Sequence, residues 1–357
     1  MLLSCCVNEN NRKGIEVKGQ KIQSLETLRG LACLFLVLNH LVGTPIISGL
    51  KLPEGNSYFL FNTMLENVRM PLFAFLSGII FSFRGIVPSQ FNMLLKGKFF
   101  RLLVPLITLG PIYLIIQANA PGANQTVEVT SYFYYISVLW ESKFHFWFLQ
   151  SMFLIFLLYG MMSFVKVSVK TAYILLLCLG IALSLLMPTN ILFFSLSGFF
   201  FLLPYFALGT LIGLRETHSE KLNFTLIGVL ACIFISSLVF KYLSIKEGND
   251  FDRTSVFGLL IGFVGCSFFY FSKIKIKALV YIGSFSFTIY LYHVYFLVFS
   301  RVLLNYFAVN SDIVNVLVGL VFGLFGPIVL DYLLSRHDLL SRLFLGKKVK
   351  KPKMVKG

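Results

Sequence analysis

The chain has 357 residues, of which 57% are apolar or aromatic and 13% charged, and its mean hydropathy is +0.83. These values exclude a water-soluble enzyme and a soluble domain with a single membrane anchor. The net charge is +16, but the basic residues are spread between apolar runs. We therefore interpret them as topology signals and contacts to membrane lipids, and we expect no nucleic acid partner. None of the six cysteines forms a CxxC or a Cys/His metal pattern, so no metal is expected.

Apolar windows long enough to cross a membrane recur along the whole chain. A spanning helix needs about 20 mostly apolar residues, and ten windows qualify. The sequence therefore predicts an all-α, polytopic integral membrane protein with about ten transmembrane helices. The windows lie near residues 28–48, 66–83, 99–117, 145–165, 171–187, 190–214, 222–243, 254–272, 279–301 and 312–334.

The distribution of Lys and Arg predicts the orientation of these helices. With the N-terminus placed in the cytoplasm, 23 basic residues fall in cytoplasmic segments and 7 on the outer side. This split favours ten helices with both termini cytoplasmic, in a multi-pass protein of the cytoplasmic (inner) membrane. The expected organisation is a cytoplasmic segment at 1–23, a membrane domain at 24–335 and a basic cytoplasmic tail at 336–357. The longest connection, 118–144, is expected outside.

Ionisable residues inside predicted spans are where function is expected, because burying them in lipid is costly. Arg29 and His40 lie eleven positions apart in the first span. At 100° per residue they share one helix face, and they are about 16 Å apart along the axis. Arg29 would lie at the cytoplasmic mouth, with His40 as a buried, proton-accepting imidazole. The residues alone also fit a snorkelling arginine and a structural histidine.

Other polar groups in the spans form a second set of candidates. Ser77-Gly78 predicts close approach of a partner helix, which would by itself explain both residues. Lys98 and Arg101 are three apart at the cytoplasmic surface, where they fit either phosphate binding or topology. Asp331 is expected to pair with Arg29 and orient the site. The candidates for contacts to a substrate are Arg69, Ser77, His145, Trp147, Tyr290 and His293.

Several segments resemble the integral-membrane acyltransferase 3 family, in the family's order, from about residue 24 to 335. Arg29 and His40 match the family's arginine and histidine in SLETLRGLACLFLVLNH. The segment KFFRLLVP is similar to the basic loop of the family. Lys98 stands in place of the usual first arginine and keeps its charge, but a lysine cannot make the bidentate contact to phosphate that an arginine makes. The remaining similar segments are RMPLFAFLSG, HFWFL, LPYFALGTLIG and GSFSFTIYLYH.

The resemblance implies an O-acyltransferase of the polysaccharide-modifying type. It implies transfer of an acyl group, commonly acetyl from acetyl-CoA, to a hydroxyl of a lipid-linked or extracytoplasmic glycan such as O-antigen or exopolysaccharide. Arg29, Lys98 and Arg101 would then hold the CoA phosphates, and His40 would act as general base or transient acyl carrier. Nothing in the chain corresponds to the fused extracytoplasmic domain of longer members, so the chain is expected to act alone or with a separate partner.

Two other functions remain open at this stage. A transporter or flippase of a lipid-linked or anionic solute would use the same polar path without forming a bond. The lack of an internal repeat and the scarcity of carboxylates in the spans count against it. A membrane scaffold without catalytic activity is the third reading, and the shared face of Arg29 and His40 counts mildly against it.

Overall fold

The protein is described by a computed structural model that covers residues 12–43, 48–53, 55–85, 87–119, 131–215, 223–249, 251–309 and 311–347. Across these residues the chain is almost entirely helical and contains no strand, only an isolated bridge between Glu141 and Phe193. The predicted all-α fold is confirmed.

Fifteen α-helices are assigned within the described residues, together with short 3₁₀ turns and one π-helical turn at Phe99–Leu103. Several helices begin where a side chain accepts a backbone hydrogen bond, as Ser168, Asn223 and Ser255 do. The helices are α1 (Arg12–Val42), α2 (Ser57–Met64), α3 (Glu66–Ser82), α4 (Phe91–Lys98), α5 (Val104–Asn119), α6 (Phe133–Ile136), α7 (Trp147–Met162), α8 (Val169–Leu186), α9 (Leu196–Arg215), α10 (Phe224–Lys246), α11 (Val256–Phe271), α12 (Lys277–Ser284), α13 (Ser286–Tyr306), α14 (Asp312–Leu334) and α15 (Asp338–Leu345).

Nine helical segments in the described part of the chain are long and apolar enough to cross a membrane. The remaining predicted window, 254–272, corresponds to α11, which has 16 residues and so rises only about 24 Å. The polytopic architecture is therefore confirmed, while the cytoplasmic placement of both termini stays a prediction. The nine segments are Gln23–Val42, Ser57–Ser82, Pro88–Asn119, Phe144–Met162, Val169–Leu186, Leu196–Leu214, Phe224–Lys246, Ser286–Tyr306 and Asp312–Leu334.

The predicted span at 279–301 is divided in the structure. Helix α12 ends at Ser284, and Phe285 leaves the helical conformation with φ −105° and ψ 10° before α13 begins. Helix α12 packs against the middle of α1, where Gly30 lies against the carbonyl of Leu279 and Gly283 against the carbonyl of Glu26. The break falls between Ser284 and Ser286, two small polar residues that do not interrupt the apolar pattern enough to predict two helices.

Helices α3 and α9 approach each other closely through glycines. Gly78 of α3 lies against the carbonyl of Phe206, and Gly209 of α9 lies against the carbonyl of Phe75. Any side chain at either position would collide with backbone, which cannot move aside as a flexible side chain can. The prediction that Ser77-Gly78 admits a close partner helix is confirmed, and Ser77 itself donates a hydrogen bond to the Phe73 carbonyl at 2.8 Å.

An ion pair with a buried lysine joins α10 to α3. Lys241 is completely buried, and its Nζ lies 2.6 Å from Glu66 Oε1 and 2.8 Å from Asn67 Oδ1. A charged side chain in an apolar layer requires such partners, because an unpaired charge there is strongly unfavourable. Lys241 is one of the seven basic residues counted on the outer side from the sequence, and this structural role was missed.

The last described helix, α15, packs back against the membrane domain. The carbonyls of Leu343, Phe344 and Leu345 accept hydrogen bonds from Thr108, Tyr292 and Arg101, at 2.8, 3.0 and 3.1 Å. The first part of the predicted tail, 336–347, is therefore joined to α5 and α13, while 348–357 lies outside the described residues.

Replacement of Gly78 by leucine tests the packing of α3 on α9. Because the new side chain collides with the Phe206 carbonyl, we expect Gly78→Leu to lower the amount of folded protein in membranes and the unfolding temperature in detergent. Gly228→Leu is the matched control, since Gly228 in α10 faces open space. Equal folded yields for the two variants would contradict the close contact.

Candidate active site

Helix α1 carries the two residues that the sequence singled out first. It is continuous from Arg12 to Val42, so the eleven-residue spacing of Arg29 and His40 is preserved as one face and about 16 Å of axial separation. Both side chains are partly accessible. A cation therefore lies near one end of the span and an imidazole toward the other.

Three histidines from three helices meet around His40. Its ring centroid lies 4.7 Å from that of His293 in α13 and 6.4 Å from that of His145, just before α7. The rings of His145 and His293 are 5.5 Å apart. His145 and His293 are buried, with 3% and 0% of their surface exposed, whereas His40 is half-buried. Of the three residues of this histidine cluster, His40 keeps the most exposed surface.

Hydrogen bonds fix the relative orientation of His40 and His293. The Nε2 atom of His293 lies 3.1 Å from Nδ1 of His40, which also lies 3.1 Å from the carbonyl of Leu36. The Nδ1 atom of His293 lies 2.9 Å from the carbonyl of Ile289 and 3.0 Å from that of Tyr290. His293, a predicted substrate contact, is fully buried and lies within hydrogen-bond distance of His40.

The three predicted phosphate-binding residues lie within electrostatic range of one another around Arg29. Arg29 and Arg101 both lie within electrostatic range of Lys98, and we call these three residues the cationic cluster. Each also has a partner within the protein. Arg29 pairs with Glu26 at 2.5 Å, the Nζ of Lys98 lies 3.4 Å from the ring centre of Phe156, and Arg101 stacks 3.9 Å from that of Phe287. These contacts hold the cations in place inside an apolar surrounding.

Lys98 and Arg101 contact different helices. A π-helical turn, Phe99–Leu103, begins directly after Lys98 and contains Arg101, and its winding is wider than that of an α-helix. Lys98 lies against Phe156 of α7, and Arg101 lies against Phe287 of α13. The prediction that the two cations are neighbours on one helix face assumed a regular helix.

The expected pair between Asp331 and Arg29 is wrong. Asp331 instead pairs with Lys347 at 2.5 Å, and accepts a hydrogen bond from Thr288 of α13, also at 2.5 Å. Arg29 forms its ion pair with Glu26, because Glu26 lies three residues earlier on the same helix. Asp331 therefore anchors the end of the described chain to α13 and α14.

Arg69 lies beside the histidine cluster at the end of α1 that carries His40. It donates a hydrogen bond to Asn62 Oδ1 at 2.9 Å, and Asn62 in turn donates to Asn39 at 3.1 Å. Arg69 is also within electrostatic range of His40 and of Arg253. A positive, hydrogen-bonding surface thus borders the accessible imidazole.

Aromatic residues complete this end of the site. Trp147 is half-buried, and the guanidinium carbon of Arg253 lies 5.9 Å from its ring centre and 4.9 Å from that of Phe201. The hydroxyl of buried Tyr290 donates to the backbone carbonyl of His145, so it supports the loop before α7. Ser77 is turned to its own helix. Among the described residues, no group of three or more His, Cys, Asp or Glu side chains is arranged to hold a metal ion.

Several partners of the site residues were missed from the sequence. Glu26 could have been found from its spacing of three to Arg29 on a helix. Asn39 adjoins His40, but its link to Arg69 runs through Asn62 on another helix. Arg253 follows an acidic residue in a loop and carries no motif that would place it near Trp147. The contacts of Asn62 and Arg253 join separate parts of the chain and leave no pattern in the sequence.

Comparison with known proteins gives one match. A family model described as an acyltransferase domain, that of the acyltransferase 3 family, matches residues 22–332. No curated protein and no solved structure matches the chain. The matched range covers nearly the whole chain and includes α1 with Arg29 and His40. The chain therefore belongs to the acyltransferase 3 family and is a multi-pass membrane acyltransferase.

Proposed function

We propose that this acyltransferase moves an acetyl group from acetyl-CoA on the cytoplasmic side of the inner membrane to a hydroxyl of a lipid-linked or extracytoplasmic glycan, such as O-antigen or exopolysaccharide. The observation that carries the proposal is the partly exposed His40, on the same face of α1 as Arg29 of the cationic cluster, which lies about 16 Å away along the helix axis. This separates a phosphate-binding end from a reacting end.

The cationic cluster suits the donor. CoA carries its phosphates at one end and its thioester at the other, joined by a long flexible arm. With Arg29, Lys98 and Arg101 on the phosphates, the arm can run along α1 toward His40. Phe156 and Phe287, which already contact Lys98 and Arg101, give these cations an apolar backing that strengthens their attraction for phosphate.

His40 supplies the chemistry at the other end. Its imidazole takes the proton of the acceptor hydroxyl as the oxygen attacks the thioester carbonyl, and the carbon–sulfur bond then breaks. The same proton passes from His40 to the leaving thiolate, so that ester and free thiol are formed and the enzyme is unchanged. The acceptor side is assigned to Arg69 and Trp147, with His145 and Tyr290 supporting them.

The transporter alternative finds less support in the charges. Three of the four acids in the candidate spans of the described chain form ion pairs: Glu26 with Arg29, Glu66 with Lys241 and Asp331 with Lys347. Solute carriers driven by protons commonly use an intramembrane carboxylate that changes its charge during transport. The fourth acid, Asp312, is exposed in the first turn of α14.

Removal of His40 tests the proposed reaction. With radiolabelled acetyl-CoA and membranes that contain the native glycan precursors, we expect wild type to label a lipid-linked or surface glycan fraction. We expect His40→Gln to lower that rate by about 10²–10⁴-fold, the usual worth of general-base catalysis. The amounts of folded wild-type and variant protein are matched by their monodisperse elution in detergent. Undiminished labelling by His40→Gln would exclude His40 as the base, and no label with wild type would contradict acetyl transfer.

Neutralisation of Lys98 tests the donor site. We expect Lys98→Met to raise the KM for acetyl-CoA about 10-fold or more, since a desolvated charge contact to phosphate is worth at least 1.4 kcal/mol. The KM for acetyl-pantetheine, which lacks the nucleotide phosphates, should change little. Lys96→Met is the control, because Lys96 is exposed and lies two residues before the cluster. Equal effects on both donors would contradict a phosphate-binding role.

A further inference from the structure

We infer that His293 is a positioning residue for the transfer reaction: it holds the proton of His40 on Nδ1 and thereby leaves Nε2 of His40 as the atom that accepts the proton of the acceptor. The inference rests on the proposed function and adds to it the atom that reacts and the residue that selects that atom. It follows from the donors and acceptors around two rings.

The carbonyls around His293 determine which of its ring nitrogens carries a hydrogen. Its Nδ1 lies 2.9 and 3.0 Å from the carbonyl oxygens of Ile289 and Tyr290. Carbonyl oxygens only accept hydrogen bonds, so this nitrogen must carry a hydrogen. In a neutral imidazole the other nitrogen is then bare. The Nε2 atom of His293 is therefore an acceptor, and it lies 3.1 Å from His40.

The acceptor atom of His293 in turn determines which ring nitrogen of His40 carries a hydrogen. Its Nδ1 faces two groups, the carbonyl of Leu36 and Nε2 of His293, both at 3.1 Å. Since both are acceptors, Nδ1 of His40 must be the donor. The neutral ring then has its lone pair on Nε2. His40 is half-buried, while His293 is fully buried. The unprotonated nitrogen that is left without a partner, Nε2 of His40, therefore belongs to the more exposed of the two residues.

The groups around His40 determine how a positive charge on its ring is stabilised. The titratable or charged groups that face His40 are His293 from α13, His145 from the segment before α7 and Arg69 from α3. In the part of the chain that the structure describes, no carboxylate forms an ion pair with any of these histidines. When His40 takes a proton, the hydrogen bond from Nδ1 to His293 is thus its charge-stabilising contact from another side chain.

The arrangement has a defined role in the reaction. The acceptor hydroxyl gives its proton to Nε2 of His40, whose Nδ1 hydrogen bond to His293 strengthens as the ring becomes positive. The proton then leaves from Nε2 to the thiolate of CoA. His293 keeps its own hydrogen on Nδ1 throughout, so it touches neither substrate and orients the ring that does.

Two substitutions at His293 separate positioning from packing. His293→Leu removes the group that accepts the hydrogen bond from His40. We expect kcat to fall by about 10- to 100-fold, the range found when the hydrogen-bond partner of a metal-binding histidine is removed. The KM for acetyl-CoA should stay within about twofold, because the cationic cluster is untouched. His293→Gln can present its amide oxygen to Nδ1 of His40, and should recover most of the lost kcat. His337→Leu removes an exposed histidine at the start of α15 and serves as the control.

The pH profile distinguishes the roles further. Without His293 the protonated form of His40 loses its acceptor, so His40 stays neutral to lower pH. The acid limb of kcat/KM should therefore move to lower pH in His293→Leu and return in His293→Gln. An equal fall at every pH in both variants, or wild-type kcat in His293→Leu, would overturn the inference while leaving His40 and acetyl transfer intact.

A spectroscopic measurement tests the inference without any substrate. Nitrogen NMR of ¹⁵N-histidine-labelled protein in lipid nanodiscs reports which ring nitrogen carries hydrogen, and the His40 signals are identified by their loss in His40→Gln. We expect hydrogen on Nδ1 of both His40 and His293 at neutral pH. Hydrogen on Nε2 of His40 would overturn the inference even if the proposed function holds. The expected tautomers in a protein that labels no acceptor would instead leave the pair standing and remove the acetyl-transfer proposal.

Discussion

A buried imidazole needs hydrogen-bond partners for its ring nitrogens, and the interior of a membrane protein offers few. Helices α1 and α13 meet this need by placing His40 and His293 edge to edge, with helix carbonyls of Leu36, Ile289 and Tyr290 accepting the remaining bonds. The backbone of the two helices thus determines which way both rings point. Any change in the relative depth of α1 and α13 would break this geometry, so the packing of α1 underlies the whole site.

Close contacts through glycine contribute to that depth. Gly30 and Gly283 let α1 and α12 pack with backbone against backbone beside Arg29. In lipid there is no hydrophobic force between helices, and close packing of small residues is a main source of their association. The α3 and α9 pair uses the same device through Gly78 and Gly209. The reacting end and the phosphate-binding end are therefore held at a fixed distance by a rigid helix with a fixed neighbour.

Relations within one helix and the close approach of a helix at Gly78 were predictable from the sequence, but side-chain pairs between helices were not. Regular helix geometry placed Arg29 and His40 on one face, and small residues marked the close contact at Gly78. The partner of Asp331 was wrong because choosing between Arg29 and Lys347 requires knowing where α15 packs. The bond between Lys241 and Glu66 spans 175 positions, and the hydrogen bond between His40 and His293 spans 253. Neither has a spacing or motif that could reveal it.

The packing of α15 has a consequence for how the protein is made. The carbonyl of Leu345 that accepts from Arg101 lies 244 positions later in the chain, and the contact of Leu343 with Thr108 spans 235. During synthesis, α5 enters the membrane long before these partners leave the ribosome. Until then the guanidinium of Arg101 lacks this bond to α15, so the phosphate-binding end takes its final form as one of the last steps of biogenesis. A translation product that stops before α15 would insert its spans yet lack the bonds from α15 that fix Arg101.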